Sequence, residues 1–291
     1  MHVTKGKADW IDFLNPTEDD LNWLKTHFHF KDLVLEELLK PSARTKVEAY
    51  ENHLFLVYYF PSYDPKEKTS RRTEIDIIIT RHQVITAHYD KVEPFMDINM
   101  NGVENSLDLA HRIFSNLLAF EERQLYHIRE ELEEIGNRLF KGGERKTLEK
   151  ISRLKRDISE YRVIVRHQEP LFDSLHLHGT EFWGPEARAH LNNLMGESQK
   201  IVSQIESYRE TLSDFEDTNN QIMELKMNGL IKTFTVLSFL TFPFALATAV
   251  LSMPVRDNPF AELPNAYWIL LTVILIGIMS LAIYFQRKKW L

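Results

Sequence analysis

LIKTFTVLSFLTFPFALATAVL, residues Leu230–Leu251, is the stretch that decides how the rest of the chain is read. Its one charge, Lys232, stands near the start, and about 20 apolar residues at 1.5 Å of rise each cross the ~30 Å hydrocarbon layer of a bilayer. A second run of similar length, AYWILLTVILIGIMSLAIYF at Ala266–Phe285, ends abruptly in Gln286-Arg287-Lys288-Lys289-Trp290-Leu291. Residues 1–229 are polar or mixed, so the pattern predicts a large aqueous body followed by a two-helix transmembrane hairpin.

Charge placement predicts how that hairpin is oriented. Lys232 precedes the first span and Arg287, Lys288 and Lys289 follow the second, whereas the connection carries Arg256 against Asp257 and Glu262. The positive-inside rule then puts both termini in the cytoplasm of a multi-pass protein of the cell (inner or plasma) membrane. Met1–Phe13 is polar and has no apolar core of a signal peptide, so the body is expected to stay on that side. The 291 residues include no cysteine, which excludes disulfides and thiolate metal sites. A net charge of -7 gives nucleic acid no basic surface to bind.

The first hundred residues read as mixed α and β. Trp10–Leu14 alternates like a strand, and Asn15-Pro16-Thr17-Glu18 starts a helix with Thr17 as N-cap and Glu18, Asp19 and Asp20 in its first turn. Short helices are predicted over Leu21–Phe28 and Leu33–Leu39. Strands are predicted over Lys46–Tyr50, His53–Phe60, Thr73–Thr80 and Gln83–His88, with turn material at Pro61–Lys68 and Arg81-His82. From Ser106 the chain reads as helix. Leu109, Ile113, Leu117, Phe120, Leu125, Ile128, Leu132, Ile135 and Leu139 recur at helical spacing up to Gly142-Gly143. A second helix is predicted over Thr147–Phe172, a loop over Leu175–Gly184, and helix again from Glu186 to Leu251. Leu191, Leu194, Val202, Ile205, Leu212, Phe215 and Ile222 form a thin seam on it, suited to copies of itself or to the antiparallel helices before it.

The two spans differ in chemistry. The first places hydroxyls at Thr235, Ser238, Thr241, Thr248 and Ser252 on one face, whereas the second has only Thr272, Gly277 and Ser280 to break its apolar surface. The stripe either lines an aqueous path or marks hydroxyls bonded back to their own helix at a close packing face. One stripe cannot enclose a pore, so conduction needs several copies around an axis. Pro254 ends the first span and leaves the last carbonyls (Val250, Leu251, Ser252 and Met253) without intrahelical partners, at the negative pole of the helix dipole. Several such ends, with Asp257 and Glu262 nearby, attract cations and argue against chloride.

Together these features resemble the CorA-type magnesium and cobalt transporter family. The resemblance runs through Trp10-Ile11-Asp12, Asn15–Leu21, Leu35-Glu36-Glu37-Leu38-Leu39, Lys46-Val47-Glu48 and Leu54-Phe55-Leu56-Val57 to the ungapped Asn228–Val255 and the Lys-Lys-Trp-Leu end. It implies an α+β cytoplasmic domain with long antiparallel and stalk helices, followed by the hairpin, assembled as a funnel-shaped homopentamer. The expected divisions are a domain at 1–100, antiparallel helices at 101–184, a stalk at 185–229, spans at 230–253 and 266–286, an external loop at 254–265 and a tail at 287–291.

By the same resemblance Asn228, Ile231, Phe234, Ser238, Phe242, Ala245, Ala249 and Ser252 face a central pore opened and closed by the stalk, with an apolar constriction at Ile231 and Phe234. The family's Gly-Met-Asn signature here reads Ser252-Met253-Pro254. Proline supplies no amide to hold a hydrated magnesium ion, so carbonyls and the Ser252 hydroxyl are left as the filter. The implied activity is passive flux of a divalent cation: magnesium, or cobalt, nickel or zinc. The alternative is a non-conducting scaffold or regulator that keeps the fold and has lost the filter, and a third reading makes the hairpin a mere anchor.

Partners are then membrane lipid, further copies of the chain and divalent ions, with no tightly bound cofactor. Glu206, Glu210, Asp214 and Asp217 on the stalk could hold a regulatory divalent ion, though an ordinary solvated acidic face has the same pattern. His176 and His178 alternate in the expected loop without a third ligand. The sequence has no nucleophile elbow, phosphate loop or His-Glu metal motif, so an enzyme reading has nothing to stand on.

Overall fold

The computed structural model describes residues 1–253 and 265–288. Contacts divide the chain into two units, Met1–Glu216 and Asp217–Leu291. The first is built on a six-stranded sheet in the order β1-β2-β6-β5-β4-β3. Its strands are β1 His2–Thr4, β2 Asp9–Leu14, β3 Lys46–Ala49, β4 His53–Asp64, β5 Thr69–Thr80 and β6 Gln83–His88. All neighbours are antiparallel except β2 and β6.

The long apolar runs of β4 and β5 follow from cover on both faces of the sheet. Side chains alternate along a strand, so Leu54, Leu56, Tyr58 and Phe60 enter one core and Phe55, Val57 and Tyr59 the other. The second core is closed by α1 Glu18–Phe28 and α2 Asp32–Glu37. Thr17 caps α1 as expected: its hydroxyl accepts from the Asp20 amide while the Asp20 carboxylate accepts from the Thr17 amide.

The first core is closed by α3 Ser106–Arg138, α4 Glu144–Arg166, α5 Gln168–Trp183 and the beginning of α6 Ala187–Leu251. All nine apolar positions expected on α3 and just beyond it are buried. Of the seam on α6, Leu191, Leu194, Ile205 and Leu212 are buried in this same core. That stretch of the seam therefore packs on the chain's own helices.

Three expectations are corrected. Residues 175–184 are not a loop: α5 runs to Trp183 and buries Leu171, Phe172, Leu175 and Phe182, so His176 and His178 sit on a helix. Gly179 makes this possible, since a Cβ there would stand 3.0 Å from Leu191 Cδ1. The helix expected over 147–172 is two helices that meet at His167, because Pro170 is tolerated only in the first turn of a new helix. The turn expected over 61–68 is shorter, because β4 continues through Pro61 and pairs it with Arg72. Partner β3 stops at Val57, so beyond it no strand on that side asks Pro61 for an amide hydrogen.

In the second unit, α6 continues through Pro243 to Leu251 and α7 spans Ala266–Arg287. Both helices are long and apolar enough to cross a membrane. They pack on each other through Gly277, where a Cβ would lie 2.5 Å from a Phe244 ring carbon, and through Phe239 and Phe285, whose rings are 6.5 Å apart.

Candidate ion path and stalk carboxylates

On an α-helix each residue advances by ~100°, so Asn228, Ile231, Phe234, Ser238, Phe242, Ala245, Ala249 and Ser252 fall within an arc of about 120°. All eight are exposed in the single chain. Val236 is buried, while Leu240 and Phe244 are partly covered on roughly the opposite side of α6. One side of the first span is thus taken by α7 and its own hairpin, and the other presents the eight candidate positions uncovered.

The hydroxyl stripe divides in a specific way. Thr235, Thr241 and Thr248 donate to the carbonyls of Ile231, Leu237 and Phe244 at 2.8, 2.9 and 2.7 Å, and Ser252 donates to Ala249 at 3.0 Å. The back-bonding alternative therefore describes these four. Back-bonding spends the hydroxyl hydrogen and leaves oxygen lone pairs outward, which suits a cation rather than an anion. Ser238 makes no hydrogen bond among the described residues and is the free hydroxyl of the stripe. Met253 is exposed at the end of the span, while Pro254, Asp257 and Glu262 lie outside the described residues.

The stalk carboxylates are not equivalent. Glu206 accepts from the Arg162 Nε, lies 3.0 Å from the Arg209 Nε and 3.7 Å from the Arg166 Nε. The hydrogen bond from Arg162 holds its pKa below the ordinary glutamate value. Its oxygens already serve arginines, so it is a poor metal ligand as it stands. Glu210, Asp214 and Asp217 are exposed on the same helix. Among the described residues no group of three or more His, Asp or Glu is arranged to hold a metal ion.

Two buried acids escaped the sequence reading. Glu121 is fully enclosed: its Oε1 accepts from the Tyr58 hydroxyl at 2.6 Å and from Gln168 Nε2 at 2.8 Å, and burial pushes its pKa up to about 8. Asp76 accepts from the Tyr89 hydroxyl at 3.1 Å, and burial with the nearby Glu74 charge raises it to about 8. A glutamate in an amphipathic helix and an aspartate in an apolar strand were the visible signals; neither says by itself that the group is enclosed.

An α/β body followed by two membrane-length helices, the first with an uncovered face that carries hydroxyls, is the architecture of a two-span membrane protein. Residues 5–288 match the family described as CorA-like Mg2+ transporter protein, and the chain belongs to that family. That family is one of divalent-cation transporters and not of enzymes. The chain is similar to the cobalt/magnesium transport protein CorA of Methanocaldococcus jannaschii, 21% identical over 97% of this chain and 91% of that protein. The protein of the same name from Thermotoga maritima is 22% identical over 91% of this chain and 78% of its own length. The complete structure of the CorA magnesium transporter from M. jannaschii superposes with a TM-score of 0.84 at 20% identity, covering 100% of this chain and 94% of that one, which shows the fold.

Proposed function

We propose that the protein conducts a divalent cation passively along a path shared by several copies of α6, five by the family resemblance, with both termini in the cytoplasm. The observation that carries this reading is the uncovered face running from Asn228 to Ser252, opposite the side that packs on α7. Copies brought together on that face surround an axis with Ser238 hydroxyls, back-bonded threonine oxygens and the carbonyl end of the helix. Ile231 and Phe234 form its apolar constriction, and movement of the stalk wets or dries it. The ion is magnesium-like: a hydrated divalent cation attracted by oxygen dipoles, without a tight protein cage. Glu210, Asp214 and Asp217 remain candidates for a regulatory ion shared between copies.

Uptake of magnesium, cobalt, nickel and zinc into proteoliposomes tests this reading. Entry of at least one ion faster than into empty vesicles is the expected result, and no entry of any of them sinks it. The second reading, a non-conducting scaffold, is favoured by Ser252-Met253-Pro254 where the family has Gly-Met-Asn. It requires a silent native chain that begins to transport when Ser252→Gly and Pro254→Asn are combined.

A further inference from the structure

Glu206 looked like a cation ligand in the sequence, but its surroundings have the opposite polarity. A groove of about 240 Å³ between α4 and α6 is lined by Lys155, Ser159 and Arg162 on one helix and Arg209, Ser213 and Glu216 on the other, over a floor of Ile158 and Leu212. The two sides mirror each other. Along α4 a hydroxyl sits between Lys155 and Arg162, which are two turns or about 10 Å apart. Along α6 a hydroxyl sits between Arg209 and Glu216. Lys155 reaches Glu216 at 2.7 Å, Arg162 and Arg166 approach Glu206 Oε1, and Arg209 approaches its Oε2. The groove itself therefore carries three cations against the Glu216 carboxylate, with Arg166 and Glu206 beside it, a positive excess on a chain whose net charge is -7.

The arginine geometry is more telling than the count. Each of the three meets Glu206 through Nε. Their terminal Nη groups make no hydrogen bond among the described residues. A guanidinium has five N–H donors, so most of this donor capacity is held in place by Glu206 and left unused. Arginine forks and serine hydroxyls lining one groove suit the oxygens of phosphoryl groups, which accept in pairs. A metal ion would meet one carboxylate, Glu216, against the three cations Lys155, Arg162 and Arg209.

We propose that this groove binds the phosphoryl groups of a di- or triphosphate, with Arg162 and Arg209 holding one group and Lys155 with the two serines holding the next. Glu206 is the built-in placeholder that keeps the forks aligned when the groove is empty. Such a ligand ties α4 to the part of α6 in the same unit, and α6 is the helix that becomes the first span. The groove is thus placed to let a soluble polyanion set how firmly the stalk is held. This goes beyond the transport reading and does not depend on the protein conducting.

The test is calorimetric titration of the full chain in detergent, in divalent-free buffer, with inorganic pyrophosphate, ATP and orthophosphate. Pyrophosphate and ATP should bind once per chain with similar affinity, and orthophosphate about tenfold more weakly. Arg209→Gln should weaken pyrophosphate about tenfold, the loss of one charge-assisted contact. Glu206→Gln should instead strengthen it several-fold, because the competing carboxylate is gone. Arg209 is half exposed, so its variant should melt with the native chain; Ser213→Ala gives a second, milder loss. Absence of pyrophosphate binding overturns the proposal. So do binding of ATP without pyrophosphate, indifference to Arg209→Gln, or weakening by Glu206→Gln.

Discussion

Leu56 and Phe234 are equally at home in oil, yet Leu56 is 0% exposed and Phe234 is 67% exposed. The same contrast separates the two units. In Met1–Glu216 the apolar residues close on one another in two cores on the faces of one sheet. In Asp217–Leu291 Ile231, Phe242, Val273 and Ile276 are all more than half exposed. The first unit satisfies its hydrophobic residues from its own chain. The second leaves them uncovered on its own chain, as helices that face lipid do.

The contrast is sharpest in what a truncation does. Phe114→Ala, deep in the body against Tyr58 and Phe172, should cost about 3–5 kcal/mol of stability in denaturant titration. Phe234→Ala on the uncovered face should leave stability within ~0.5 kcal/mol and change ion flux instead. An equal loss of stability in both would erase the distinction between the units.

A proton titration probes the body alone. Glu121 and Asp76 both have folded pKa values raised to about 8 from 4.5 and 3.8. The folded state therefore binds protons more tightly than the unfolded chain. Their contribution is whole below the unfolded values of about 4 and is lost as pH rises from there through about 8. Glu121→Gln should flatten the loss in that window, as followed by thermal melting across pH.

Two glycines give a smaller and signed comparison. Gly277→Ala drives a methyl into Phe244 in the hairpin and should destabilise it by about 1–3 kcal/mol. Gly196→Ala meets open space on a helix of the body and should stabilise it by ~0.5–1 kcal/mol. Thermal unfolding of the two variants in detergent reads the difference in sign. Ser238→Leu, smallest in stability, should leave melting unchanged and lower flux.

How much of this was legible in the sequence depended on how local the signal was. The spans, the α3 face and the Thr17 cap rest on spacing within one element, and each is present in the structure. The strands survived with shifted ends, since nothing local reveals that β3 stops before Pro61. The second half of α5 was missed because the polar His176, His178 and Thr180 hide Leu175 and Phe182, whose burial only tertiary packing explains. Glu206 stood among four stalk carboxylates that fit either a regulatory ion or a solvated acidic face, and its arginines stayed hidden because two of the three come from another helix. Glu121 and Asp76 were missed for the same reason: enclosure is a property of what folds over a residue.

Conduction requires the side of α6 opposite α7 to be wet. The chain has no cysteine, so single cysteines at Ser238, Ala245 and Ala249, and at Val236 and Leu240 as controls, can be probed in proteoliposomes with a charged, membrane-impermeant thiol reagent. A wet face gives fast modification and arrest of divalent flux at the first three, and neither at the controls. Slow modification at all five, or modification of the first three with flux untouched, contradicts conduction along that face.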